Sequence, residues 1–228
     1  MPYSWSALST SWKLLLRRST LVLALKVAGA LAGYGFVYVA LRRLGAGNYG
    51  YFELAFTVLS ILAVVAKWGL DGLLLREIPA LNASEGRTLT RQALWASLLG
   101  SLVLAGGLWL SAPWLASAYG GFAGLWRATA VVLPLWTLVQ VWSEVCRAQH
   151  RYLGFGLLQN SILLGIVAAA MVLLPWFSSV ERVLWGLAAS AALLLGRGWL
   201  DVRPSSLRSL WVFRAPATAM FLTGTLFM

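Results

Sequence analysis

The stretch that decides the fold covers residues 41–78 and reads LRRLGAGNYGYFELAFTVLSILAVVAKWGLDGLLLREI. It opens with two arginines and a glycine-rich segment, and then continues into an apolar run over residues 51–70. A helix of that length crosses the hydrocarbon core of a bilayer. Gly45, Gly47 and Gly50 permit a tight reversal of the chain just before it. The stretch therefore predicts a hairpin between two antiparallel membrane-spanning helices.

The rest of the chain repeats this pattern of long apolar runs. Six runs are each long enough to span a bilayer, namely residues 20–41, 51–70, 93–114, 125–146, 155–176 and 183–200. A seventh run begins near Ala215. The 228 residues are 60% apolar and 11% charged, whereas an average soluble domain is about half apolar and about a quarter charged. We expect an all-α polytopic membrane helix bundle with six full transmembrane helices and a truncated seventh.

The N-terminal segment has a different pattern from the runs that follow it. Four large apolar residues recur there at helical spacing: Trp5, Leu8, Trp12 and Leu15. Basic residues accompany them, which is typical of a helix lying on the membrane surface. We divide the chain into an interfacial amphipathic segment over residues 1–19, a six-helix transmembrane lobe over 20–202, and a cytoplasmic connection with the start of a seventh helix over 203–228.

The charge distribution predicts the orientation in the membrane. The chain has 18 Lys and Arg residues against 7 Asp and Glu residues, for a net charge of +11. If the six helices alternate in direction, thirteen of the basic residues lie on one side and three on the other. Cytoplasmic loops carry the excess of Lys and Arg, so the N-terminus is expected in the cytoplasm. This interpretation favours the lipid bilayer, and not nucleic acid, as the partner of the basic residues.

Few residues are of the kinds that build catalytic or metal sites. Cys146 and His150 are the single cysteine and histidine of the sequence, which excludes an internal disulfide and a site built from several Cys or His ligands. The sequence contains no phosphate-binding loop, no HExxH motif and no paired-carboxylate motif. We therefore expect a protein that is not an enzyme, without catalytic residues, metal ligands or a cofactor.

The first apolar run carries two features that bear on packing and on charge. Lys26 lies six residues inside the run, and an ionisable residue at that depth is a functional hypothesis. Its ammonium group either extends to the cytoplasmic headgroups or faces a polar cavity. Gly29 and Gly33 form a GxxxG pattern, which predicts close packing of this helix against a neighbour.

Two further sets of charges lie at the ends of the second run. Glu53 begins that run near the outer surface, and we expect it to pair with Arg42 or Arg43 at the hairpin. The same arginines are expected to anchor at phosphate headgroups. Lys67 and Asp71 are four residues apart, so they are predicted to pair on one helix face.

The stretch 41–78 also resembles a known family. It is similar to the polysaccharide flippases of the multidrug/oligosaccharidyl-lipid/polysaccharide exporter superfamily, which include the O-antigen translocases. Their turn motif ArxLGxxxYGxf is matched by Leu41, Arg42, Arg43, Leu44, Gly45, Tyr49 and Gly50. Their GLxxxlxRxi motif is matched by Gly69, Leu70, Leu74 or Leu75, Arg76 and Ile78, and the later RAQHRY sequence at 147–152 resembles their connection between helices four and five.

The resemblance implies a two-lobe transporter in the bacterial inner (plasma) membrane. Such proteins have six-helix lobes around a central cavity and work by alternating access. The implied activity is the flipping of an undecaprenyl-diphosphate-linked oligosaccharide for the biosynthesis of lipopolysaccharide or another surface polysaccharide. Because the sequence matches the N-terminal half, we expect a partial or truncated flippase. It would need a C-terminal lobe or a homodimer partner and would not flip substrate alone.

The resemblance also gives the charged residues of the first helix a role. A diphosphate crossing the bilayer needs cationic surroundings, and we assign substrate binding to Lys26, with Arg18 below it at the cytoplasmic entrance. Three other functions remain open. A multidrug or cation antiporter lobe would need carboxylates deep in its helices, and a membrane glycan polymerase or ligase would need a large outer loop with polar catalytic residues. The third is an accessory subunit without transport activity.

Overall fold

The computed structural model describes residues 5–119, 122–158, 160–174 and 176–201, and every regular element in these ranges is helical. The helices are α1 (Trp5–Lys67), α2 (Leu70–Glu77), α3 (Ala83–Tyr119), α4 (Ala123–Ala148), α5 (Tyr152–Leu158), α6 (Asn160–Leu173) and α7 (Val180–Asp201). A 3₁₀ turn over Ile78–Ala80 follows α2. The predicted all-α fold is confirmed for the described part of the chain.

The described residues of the six apolar runs lie almost entirely on these helices. The first run lies in α1, the second in α1 and the start of α2, the third in α3, the fourth in α4, the described part of the fifth mostly in α5 and α6, and the sixth in α7. Among the described residues, three helices are long and apolar enough to cross a membrane: Leu23–Lys67, Ala83–Tyr119 and Ala123–Ala148. Ile162–Leu173 is a shorter apolar helix. The architecture is that of a helical membrane protein, and the number of full spans stays a prediction.

The proposed division into segments also stays a prediction. The backbone of α1 begins at Trp5 and continues as helix across residue 20, where the lobe was expected to begin. Residues 203–228, expected to form a cytoplasmic connection and the seventh run near Ala215, lie outside the described residues.

A sharp reversal at Gly45 divides α1 into two arms. Gly45 has φ 78° and ψ 161°, a backbone conformation that is essentially restricted to glycine. The rings of Phe36 and Phe52 lie on opposite sides of this residue, and their centroids are 5.1 Å apart. In an unbroken helix the same residues would be about 24 Å apart. The predicted hairpin is therefore confirmed, and we call residues 5–44 the first arm and 46–67 the second arm.

The three glycines of the turn do not contribute equally. Gly47 and Gly50 lie within the helical second arm, and a Cβ atom at either position would meet open space. Only Gly45 among the three has the positive φ that excludes other residues. The reversal thus depends on one glycine, and the other two are not required by the backbone geometry.

Helix α4 lies at the centre of the bundle. It packs against α1, α3 and α7, and its buried residues occur on all sides of the helix. Trp126 and Trp136 are fully buried, and Trp136 meets Phe56 of the second arm edge to face at a centroid distance of 5.3 Å. A helix that is apolar all round belongs in the interior of a bundle. The helix continues through Pro134.

The first arm of α1 packs closely on α6 through a glycine of α6. A Cβ atom at Gly165 would come within 2.7 Å of the Cβ atom of Ala32. Gly29 is buried in the same face of the first arm. A Cβ atom at Gly33, by contrast, would have nothing within 4 Å. The predicted GxxxG contact is therefore wrong for Gly33, because the close approach is made by the glycine of the partner helix.

Replacing Gly45 with alanine should destabilise the protein. A Cβ atom in this backbone conformation costs about 1–3 kcal/mol. The thermal midpoint of the Gly45→Ala variant in detergent, followed by fluorescence-detected size exclusion, should fall clearly below that of the wild type. Gly47→Ala is the matched control and should be neutral or slightly stabilising, since alanine favours a helix over glycine. Equal midpoints for the two variants would contradict this account of the turn.

The contact between the first arm and α6 yields a second stability test. Gly165→Ala should lower the thermal midpoint because the added methyl group collides with Ala32, and such overpacking costs about 1–3 kcal/mol. Gly33→Ala adds the same methyl group to an open position and should leave the midpoint unchanged or higher. If Gly33→Ala proves the more damaging change, the packing of α1 on α6 is not as described.

Candidate functional site

Lys26 lies on the first arm of α1 and is exposed. Its neighbour Leu25 contacts Gly156 of α5, so the face that packs on the bundle is the one next to Lys26. Among the described residues, Lys26 makes no ion pair; the pairs observed there join Lys67 to Asp71, Arg76 to Glu77 and Arg147 to Glu144. The ammonium group is available to an external anion, which agrees with either of its two predicted placements.

Arg18, the other predicted substrate-binding residue, belongs to the same helix. The backbone of α1 includes it, eight residues before Lys26. Its side chain lies outside the described part of the structure, so no contact with Lys26 is assigned. The roles of both residues in binding stay predictions.

A groove opens next to the helix face that carries Lys26. Ala30, Gly33 and Val37 follow Lys26 at intervals of four, three and four residues, which places all four on one side of the helix. Ala30, Gly33 and Val37 line a groove with a volume of about 260 Å³. The second arm and Leu164 of α6 form its other walls. The groove therefore lies where the two arms of the hairpin and α6 meet.

Four aromatic rings and one carboxylate give this groove its chemical character. The rings are those of Tyr34, Phe36, Phe52 and Phe56, and the carboxylate is that of Glu53. Phe52 and Phe56 are stacked, with centroids 5.8 Å apart and ring planes 15° apart. The lining is thus mostly apolar with a single charged group.

Glu53 is held in the groove by its own helix. It is half-buried, and the hydroxyl of Tyr49, four residues earlier, donates a hydrogen bond to its Oε1 atom. Among the described residues no cation lies within 4 Å of its carboxylate. The other carboxylate oxygen, Oε2, accepts no hydrogen bond from these residues. The side chain is oriented and retains acceptor capacity for a ligand.

The expected pairing of Glu53 with the hairpin arginines is wrong. Arg43 Nη2 instead donates to the carbonyl oxygen of Val172 at 3.2 Å, near the C-terminal end of α6, where cations are favoured by the helix dipole. The guanidinium of Arg42 lies over the ring of Tyr38, 5.2 Å from its centroid. Each arginine therefore has a contact within the protein while its side chain stays exposed. The expected contact of both arginines with lipid headgroups stays a prediction.

A group of charges lies at the opposite end of the second arm. Lys67 Nζ and Asp71 Oδ2 are 2.6 Å apart, which confirms the predicted pair. Trp68 and Gly69 between them have positive φ angles of 47° and 76°, so α1 ends here and α2 begins. Asp71 Oδ1 is buried and accepts no hydrogen bond among the described residues. In the same part of the chain, no group of three or more His, Cys, Asp or Glu residues is placed to hold a metal ion.

Sequence reasoning did not find the groove. The signals were present, since Tyr49 and Glu53 are four residues apart and so are Phe52 and Phe56, which predicts two adjacent stripes on one helix. The third component, Phe36, comes from the other side of the turn. Its position beside Phe52 depends on how sharply the chain reverses at Gly45, and residue spacing does not give that angle.

The comparisons with known proteins give the family. A sequence model of the family described as "polysaccharide biosynthesis protein" matches residues 15–203. The match includes Lys26, the hairpin at Gly45, the groove and most of every described helix. No curated protein sequence and no solved structure matches the chain significantly. The family match covers well over half of the chain and agrees with the resemblance to polysaccharide flippases, so the chain belongs to the polysaccharide biosynthesis protein family.

Proposed function

We propose that this chain forms a lobe of a transporter that flips a lipid-linked oligosaccharide across the bacterial inner membrane. The family match and the long apolar helices support a membrane protein of polysaccharide biosynthesis. The observation that carries the transport proposal is the helix face that runs from the exposed Lys26 to the groove beside Glu53. The cation lies on the first arm and the carboxylate on the second arm, and two such groups in otherwise apolar surroundings are suited to a polar cargo in a cavity.

The proposed substrate carries its negative charge on a diphosphate next to an undecaprenyl chain. A bare diphosphate is very costly in hydrocarbon, and it needs a cation that is not already paired. Lys26 meets that requirement within the described residues. Arg18 precedes it by about 12 Å along the helix and would meet the diphosphate first if the N-terminus is cytoplasmic.

The short connections support transport over glycan polymerisation or ligation. Helix α3 ends at Tyr119 and α4 begins at Ala123, and α6 ends at Leu173 and α7 begins at Val180. With a cytoplasmic N-terminus these connections lie on the outer side, where a polymerase or ligase would need a large catalytic loop. A cavity between two lobes also requires a second lobe that faces the groove. A C-terminal lobe or a second copy of this chain would supply it.

The orientation can be tested by labelling single cysteines in whole cells. With Cys146→Ser as background, cysteines at Ser117 and Ser179 should react with an impermeant thiol reagent added outside. A cysteine at Ser84, which is exposed at the start of α3, should react only after the membrane is opened. These outcomes follow from the excess of basic residues expected in the cytoplasm. Labelling of Ser84→Cys in intact cells would contradict the proposed topology.

The role of Lys26 can be tested in the native bacterium. Lys26→Leu should sharply reduce surface polysaccharide at unchanged protein abundance in the membrane fraction, and lipid-linked intermediates should accumulate in the inner membrane. Lys26→Arg keeps the charge and should retain part of the export. The control is Arg87→Gln, which removes an exposed cation on α3 and should export normally.

One result of this experiment would contradict the proposed role of Lys26. Normal export from the Lys26→Leu variant at equal abundance would show that Lys26 merely reaches the cytoplasmic headgroups. It would then be removed from the binding site.

A further inference from the structure

The groove between the two arms of α1 has a lining that fits carbohydrate. We infer that it binds the sugars of the lipid-linked substrate, with Glu53 accepting hydrogen bonds from sugar hydroxyls. This inference rests on the proposed function. There Lys26 binds the diphosphate, and here the groove binds the sugars.

The Glu53 carboxylate is oriented toward a ligand and has acceptor capacity left. Tyr49 donates to one of its oxygens and so fixes its direction. The other oxygen accepts no hydrogen bond among the described residues, and no cation lies within 4 Å. A carboxylate is an acceptor with about four lone-pair sites, and a sugar offers several hydroxyl donors close together. Hydrogen bonds to a charged group are the stronger kind.

Aromatic side chains surround the Glu53 carboxylate in the groove. Tyr34 borders the groove and is 76% exposed, whereas Phe52 is buried between other rings and Phe56 is half-buried. The faces of aromatic rings are apolar and carry negative charge density. The exposed ring of Tyr34 is therefore suited to attract the weakly positive C–H groups on the flat side of a pyranose ring. A ligand with hydroxyls on its edge and C–H groups on its face fits both parts of the groove.

Two other occupants fit the lining less well. A lipid acyl chain offers no hydrogen-bond donor to the Glu53 carboxylate, and a polar group without a partner is costly in an apolar environment. A bound metal cation such as Ca²⁺ takes six or more oxygen ligands, whereas Glu53 is the sole carboxylate among the residues lining the groove. The stacked phenylalanine side chains have no oxygen atoms to offer such a cation.

The position relative to Lys26 agrees with a single bound molecule. Ala30 begins the groove one helical turn beyond Lys26, and Val37 marks its far part, about 16 Å from Lys26 along the helix. In the proposed substrate the diphosphate joins the lipid to the first sugar. If the diphosphate lies at Lys26 and the glycan extends away from the N-terminal end of the first arm, the following sugars lie beside the groove and Glu53.

The test compares two lipids that differ only in the glycan. The purified 228-residue chain in lipid nanodiscs is titrated with undecaprenyl diphosphate and with undecaprenyl diphosphate that carries a short neutral oligosaccharide. We expect the wild type to bind the glycan-bearing lipid more tightly. Glu53→Leu should weaken binding of the glycan-bearing lipid about tenfold or more, the effect of losing one or two hydrogen bonds to a charged group. Binding of undecaprenyl diphosphate should not change.

Three further variants show whether a loss of binding is caused by the lost contact or by loss of folding. Glu53→Gln keeps the shape and one acceptor oxygen, so it should regain part of the lost affinity. Tyr34→Ala truncates a largely exposed ring and should also weaken the glycan-bearing lipid selectively. Glu85→Gln is the matched control, since Glu85 is an exposed carboxylate at the start of α3, and it should bind both lipids as the wild type does.

The outcomes separate this inference from the proposed function. If the wild type binds both lipids and neither Glu53→Leu nor Tyr34→Ala alters the preference for the glycan, the groove is not a sugar site. If Glu53→Leu removes a sodium dependence of binding and keeps that preference, the groove is a cation site and the inference is overturned. If the wild type binds neither lipid, the proposed function fails, and the assignment of the groove fails with it.

Discussion

The reversal of the chain at Gly45 is the constraint on which the candidate site depends. Its φ of 78° and ψ of 161° turn one long apolar stretch into two packed arms. The turn brings Phe36 against Phe52, and it places Glu53 opposite the first arm. Without this reversal the aromatic rings would be spread along an extended helix, and no groove would form between them.

The features that the sequence predicted are those governed by local rules. The helical class follows from apolar runs long enough to span a bilayer, because backbone groups in lipid must bond within their own segment. The reversal follows from a glycine that alone tolerates the required dihedral angles. The Lys67–Asp71 pair follows from a spacing of four residues on one helix. Each of these needed no knowledge of how distant helices cross.

The features that the sequence did not predict depend on contacts between distant segments. Arg43 was expected to pair with Glu53, yet it donates to the carbonyl oxygen of Val172, 129 residues away. Gly33 was expected at a helix contact, yet the close approach involves Gly165 of α6. In both cases the observed contact is made by a residue of α6, and it depends on how α6 packs on the first arm. Residue spacing within one helix does not give that packing.

The central claim is that the groove side of the α1 hairpin, and not the outer surface of α3, meets the lipid-linked glycan. Photocrosslinking in native membranes tests it most directly, with a benzophenone amino acid at Tyr34 or at Leu110, which are 76% and 81% exposed. With a radiolabelled undecaprenyl-diphosphate oligosaccharide, the account predicts a labelled adduct from the Tyr34 position and background from the Leu110 position. Equal labelling at both positions, or labelling at Leu110 alone, would contradict it.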